Sequence, residues 1–144
     1  MRILGVDPGQ KRHGWALVET AKRLGYVRYV RSGWGEPPQV CSEEEYRVSV
    51  VERPEFHGLS RVIHPGPLVD TAWHSGRLTI LLSAQSVRAV DWKRRLGLRP
   101  NAGDLEVGAI VRRFVEDLPR RTNVHVRDAC AIALATAWER QGQC

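Results

Sequence analysis

The sequence predicts one α/β domain, a sheet that opens with three antiparallel strands and is then joined by helices. Three observations point that way. An apolar run, Ile3-Leu4-Gly5-Val6, ends in Asp7 and a Pro-Gly turn. Two more strand-forming runs follow it closely, each after a glycine-containing turn. The C-terminal half then switches to helical spacing, and its last stretch is crowded with alanine.

The first strand, Arg2 to Asp7, is apolar enough to be buried on a sheet, which predicts a central strand rather than an edge. Lys11-Arg12-His13 makes a basic hairpin tip, and the second strand runs from Trp15 to Glu19. The third covers Gly25 to Arg31, where Tyr26, Val27, Tyr29 and Val30 favour a pleated surface. Gly33-Trp34-Gly35-Glu36-Pro37-Pro38 reads as a breaker. Cys41 to Glu45 has room for one helical turn, and Tyr46 to Glu52 is a strand that stops at Arg53-Pro54.

Pro65-Gly66-Pro67 starts a helix, with proline acceptable in its first turn. Val69, Ala72, Trp73, Gly76 and Ile80 share one face of it, and Ala72 with Gly76 leaves a shallow groove. Ser86 to Val90 is a short strand, and Asp91 to Leu96 turns into a short helix. A capped helix follows from Asn101-Ala102-Gly103-Asp104 to about Leu118, with Val107, Ile110, Val111, Phe114 and Val115 as its buried stripe. The last helix, Val126 to Arg140, carries alanine at 129, 131, 133, 135 and 137, so it can lie very close to a sheet.

A chain of 144 residues suits one domain, 1–144, with a core that needs no staples. Nothing approaches the roughly 20 apolar residues of a membrane span, and no leader precedes the first strand, so the expected location is the cytoplasm. Cys41, Cys130 and Cys144 have no metal-type spacing and read as reduced thiols. The net charge is +6, and arginine supplies nearly all of the positive charge. Arginine is well suited to phosphate, which favours a nucleic-acid partner.

Three carboxylates are placed alike. Asp7 and Glu52 end apolar strands, and Asp128 lies in the first turn of the alanine-rich helix. His125, three residues before Asp128, shares its helical face if that helix starts one turn early. Hard oxygens plus one imidazole suit Mg²⁺ or Mn²⁺ better than a closed zinc site. Two such ions about 4 Å apart can activate a water and stabilise the leaving oxygen of a phosphodiester. Taken singly, each acid has a plainer reading: Asp7 as a turn residue, Glu52 as a partner of Arg47 or Arg53, Asp128 as a charge at a helix N-terminus. Their joint occurrence in a basic chain favours the metal.

Ile3-Leu4-Gly5-Val6-Asp7-Pro8-Gly9, Gly14-Trp15-Ala16, Val50-Val51-Glu52 and the run His125-Val126-Arg127-Asp128-Ala129-Cys130-Ala131-Ile132-Ala133 together resemble the RuvC family of Holliday-junction resolvases. That family belongs to the ribonuclease H-like superfamily. The resemblance implies a mixed sheet of about five strands, the first three antiparallel, with helices on both faces. It places Asp7, Glu52, His125 and Asp128 in the catalytic, metal-binding set, with Mg²⁺ or Mn²⁺ as cofactor, two ions per active site. It implies a homodimer through the helix around Leu68 to Leu82, acting on a four-way DNA junction by paired symmetric nicks.

The resemblance also gives Lys93 a role at the scissile phosphate and Phe56 a role as a wedge in the junction. The plainer alternatives are a solvated Lys-Arg-Arg run and a core phenylalanine. Lys11, Arg12, Arg94 and Arg95 are candidate phosphate contacts by charge alone. The stretch between the third strand and Glu52 is shorter than in typical bacterial members, as in a compact phage-encoded resolvase. Two other functions stay open. One is a YqgF-type nuclease that processes ribosomal RNA precursor, since Asp7-x-Gly9-x-Lys11-Arg12-x-Gly14 fits that opening. The other is a non-catalytic junction-binding protein, against which the intact acidic set counts.

Overall fold

The computed structural model describes residues 1–37, 48–55 and 66–142. Its elements are, in order, β1 (Arg2–Asp7), β2 (His13–Thr20), β3 (Val27–Gly35), β4 (Val48–Arg53), α1 (Gly66–Leu81), β5 (Gln85–Arg88), α2 (Ala89–Arg95), α3 (Asp104–Phe114), β6 (Val115–Glu116) and α4 (Val124–Arg140). They form one mixed sheet in the order β5-β4-β1-β2-β3-β6. β1, β2 and β3 are antiparallel, while β4 joins β1, β5 joins β4 and β6 joins β3 in parallel.

β1 is central because its side chains leave it no alternative. Ile3, Leu4 and Val6 are fully buried, and alternation sends them to opposite faces. Ile3 joins a large core with Ala16, Val18, Val50 and the apolar sides of α2, α3 and α4. Leu4 and Val6 join a smaller core with Leu17, Val51, Leu78 and Leu82, under α1. Helices therefore cover both faces.

α4 approaches the sheet more closely than ordinary side chains permit. A Cβ on Gly5 would collide with the Ala129 carbonyl and stand 3.0 Å from Ala133 N. One on Gly14 would stand 2.6 Å from His125 Cβ and collide with the His125 backbone. Glycine on the strands and alanine on the helix are thus one device, which seats the first two turns of α4 directly on β1 and β2. The Asn123 side chain caps that helix, accepting from Val126 N at 2.8 Å.

Several expected boundaries move. The sheet has six strands rather than about five, because the helix expected to reach Leu118 stops at Phe114. Val115 is extended (φ −102°, ψ 106°), and β6 pairs with Val27 and Arg28 at the sheet edge. The breaker at Gly33-Trp34-Gly35 lies inside β3, with Gly35 opposite His13; glycine at 33 leaves the space that the Trp15 ring fills. β2 starts at His13, and the strand expected over Ser86 to Val90 spans Gln85–Arg88, its last two residues opening α2. α4 starts at Val124, one turn ahead of Asp128.

The expected helical turn at Cys41 to Glu45, the start of the Tyr46 strand, Phe56 and Cys144 lie outside the described residues. Cys130 is a buried free thiol inside α4, pushed up to about 12 by desolvation and by Asp128. No helix among the described residues is long and apolar enough to cross a membrane.

Candidate active site

Asp7 closes β1, and Glu52 stands near the end of β4. Those strands are parallel neighbours whose register pairs Val6 with Val51, so the two carboxylates occupy adjacent positions at the same sheet end. Pleating puts both on the face that carries Ile3, Gly5, Val48 and Val50, the face covered by α4. α4 adds His125 and Asp128 from its first turns, over Gly14 and beside Gly5.

His125 Nδ1 and Asp7 Oδ2 are 2.7 Å apart. The imidazole also packs against Trp34, with ring centroids 4.5 Å apart and planes 32° from parallel. Trp92, buried in α2, donates its indole N–H to Glu52 Oε2 at 2.6 Å. Each bond takes one oxygen of its carboxylate and leaves the second outside it.

Burial and mutual repulsion govern the electrostatics. Desolvation, with the charge of Asp128 added, raises Asp7 to about 8. Glu52 rises to about 7 through burial and then Asp7, against the opposing Trp92 hydrogen bond. Asp128 rises to about 6 through burial and Asp104, with Lys93, His125 and Arg127 pulling the other way. Three carboxylates held this far above their ordinary range share a pocket short of positive charge.

The donor chemistry fits a hard divalent cation, which would supply the missing charge. As arranged, however, no group of three or more His, Cys, Asp or Glu side chains among the described residues stands in metal-holding geometry. Asp7 is turned to His125, and Glu52 to Trp92.

The remaining candidates are spread around this centre. Lys93 Nζ donates to the Ala102 carbonyl at 2.9 Å, and its charge reaches both Glu52 and Asp128. Lys11 and Arg12 are exposed in the β1–β2 turn, just past Asp7. Arg94 is exposed on α2, whereas Arg95 is bound to Glu139 at 2.7 Å, near the C-terminal end of α4 and away from Asp128. Phe56 lies outside the described residues.

Sequence reasoning missed three neighbours of the site: Trp34 on His125, Trp92 on Glu52, and Asp104 near Asp128. Trp34 was hidden between two glycines that mimic a turn. Asp104 looked like part of a helix cap. Only Trp92, adjacent to Lys93, carried a usable signal.

No protein-family model matches the chain, and no curated protein matches its sequence. Solved structures do match in shape. RuvC of Thermus thermophilus superposes with a TM-score of 0.68 at 21% identity, over 99% of this chain and 98% of that one. T. thermophilus RuvC in complex with Holliday junction substrate gives a TM-score of 0.74 at 20% identity, over 99% and 97%. The described residues thus have the RuvC-like, ribonuclease H-type fold.

Proposed function

We propose that the chain is a metal-dependent, structure-selective endodeoxyribonuclease that resolves four-way DNA junctions by paired symmetric nicks. The observation that carries this is the gathering of Asp7, Glu52 and Asp128, all raised by burial, at one sheet end of a RuvC-like fold. A protein that only held DNA would gain nothing from buried acids beside its phosphates.

Asp7, Glu52, His125 and Asp128 would hold two Mg²⁺ or Mn²⁺ ions. When bound, these supply activation of water and stabilisation of the leaving oxygen in phosphodiester hydrolysis. The chain's own part is to place and to attract. Gly5 and Gly14 fix the height of α4 and thus the reach of His125 and Asp128. Lys93, whose charge reaches Glu52 and Asp128, would meet the phosphate, and the exposed Lys11, Arg12 and Arg94 would draw the backbone in.

Two cuts related by symmetry call for two sites related by symmetry, which a two-fold dimer provides. α1 is suited to the contact. Val69, Trp73, Ile80 and Leu81 are 56%, 63%, 80% and 56% exposed, and among the described residues nothing lies within 4 Å of a Cβ placed on Gly76.

The test is incubation with an end-labelled four-way junction and Mg²⁺, beside duplex, single-strand and ribosomal-RNA-precursor controls. Paired nicks at symmetric positions in the junction alone are the expected result. Cleavage of the RNA in preference to the junction, or binding of the junction without cleavage in either metal, would overturn the reading.

A further inference from the structure

Trp34 has no part in the mechanism above, yet it is the side chain against which His125 rests. Asp7, Gly14 and Trp34 form one row across β1, β2 and β3, Asp7 opposite Gly14 and Gly14 opposite Trp34. Gly14 has no side chain, and the His125 backbone occupies that room. His125 therefore lies in a notch. On one side Asp7 bonds its Nδ1 at 2.7 Å; on the other the Trp34 indole packs on its ring at 4.5 Å.

A bond to one ring nitrogen sets the direction of the imidazole but leaves its plane free to swing. The indole restricts that swing. A tryptophan needed only for this purpose would gain by being buried. Trp34 is instead 40% exposed, at the sheet end where Lys11 and Arg12 are also exposed. An aromatic surface beside phosphate-seeking cations is the composition of a stacking platform for an unpaired base. Branched DNA offers such bases where its helices part.

We propose that the exposed part of Trp34 stacks on a nucleobase next to the phosphate that is cut, while its inner face holds His125 in plane. This rests on the nuclease reading above and adds a substrate contact to it. Because the stack uses no base-specific hydrogen bond, it selects for an unstacked base rather than for a sequence.

The experiment is steady-state cleavage of a set of junctions, each with one abasic residue near the cut, by wild type, Trp34→Ala and Trp34→Phe. Trp34→Ala is expected to raise KM about tenfold or more, the loss of one base–aromatic stack. Trp34→Phe restores most of it. One abasic position produces the same loss in wild type and adds nothing in Trp34→Ala, because the two changes remove one contact. Should Trp34→Ala lose its cooperative unfolding, Trp34→Leu, apolar but without a π face, takes its place in the same cycle.

Abasic effects that add fully to the tryptophan change at every position overturn the stack. So does a fall in kcat with KM unchanged, which leaves Trp34 as a support for His125 only. If wild type cleaves no junction, the nuclease reading fails first and this proposal falls with it, so the two failures are told apart.

Discussion

Helices α1 and α4 lie on opposite faces of the sheet and are nearly equal in length, but they are held in different ways. α4 buries ten residues, from Val126 to Ala137, and sits on glycines that no side chain can replace. α1 buries only Ser75 and Leu78 among its residues, and a groove of about 670 Å³ lined partly by Ala72, Gly76 and Ile80 runs along it toward β4 and β5. Leu78 anchors it in the smaller core, and polar bonds add to that. Ser75 Oγ donates to the Glu52 carbonyl at 2.7 Å, and Arg77 Nη2 donates to both Glu36 oxygens at 2.7 and 2.9 Å. Beneath α1, His13 is buried 4.9 Å from His74, and desolvation foremost holds its pKa below the usual imidazole value.

The difference separates two tasks. The face that holds His125 and Asp128 at a fixed height over β1 is closed, whereas the α1 face leaves Val69, Trp73, Ile80 and Leu81 exposed, the surface proposed above for a second copy. α1 nevertheless touches the backbone of Glu52, so the two faces meet at the strand that carries this carboxylate.

The contrast is broken most directly by adding one methyl to each face. Gly5→Ala forces α4 off the sheet and is expected to cost about 3 kcal/mol or more in urea unfolding, the upper range for overpacking. Gly76→Ala meets nothing among the described residues and is expected to be neutral, or to gain up to about 1 kcal/mol through helix propensity. Equal losses from the two would erase the distinction.

A second effect is expected from pH. Asp7, Glu52 and Asp128 titrate at about 8, 7 and 6 in the folded chain, against about 4 for unfolded carboxyls. The folded state therefore binds more protons between those limits, so metal-free stability falls as pH rises from about 4 to 8. Thermal melting should show that slope, Asp7→Asn should remove much of it, and Mg²⁺ or Mn²⁺ should raise Tm more at pH 8 than at pH 5. A flat profile, or metal stabilisation equal at both pH values, would contradict the shared acidic pocket.

The smallest change expected is at the junction of the two faces. Ser75→Ala removes one buried hydroxyl bond and should cost about 1 kcal/mol. It sharpens the comparison if cleavage falls further than that stability loss explains, because the bond ends on the backbone of Glu52.

Much of this was legible in the sequence, and the reason differs by region. β1 could be read because a run of buried aliphatic residues ending in a carboxylate has few other uses. α4 could be read because alanine at alternate positions predicts close approach, and Gly5 and Gly14 supply the matching surface. β6 was not legible, since Val115 continues the apolar stripe of α3 and only pairing with Val27 draws it out of the helix. Trp34 was not legible either, because its neighbours Gly33 and Gly35 serve strand packing while looking like a turn. The partners of the acids, Trp92 and Asp104, come from distant parts of the chain, and their approach is a product of folding that no local pattern encodes.

The central claim is that the buried acids serve cleavage and not DNA capture. It is tested by measuring junction binding and junction cleavage side by side for Asp7→Asn, Glu52→Gln and Asp128→Asn, each in saturating Mg²⁺. The account predicts that all three lose cleavage by at least about a hundredfold, several kcal/mol of transition-state stabilisation, while binding stays the same or tightens as negative charge is removed. Near-normal cleavage by any of the three, or binding lost in step with cleavage, would contradict it.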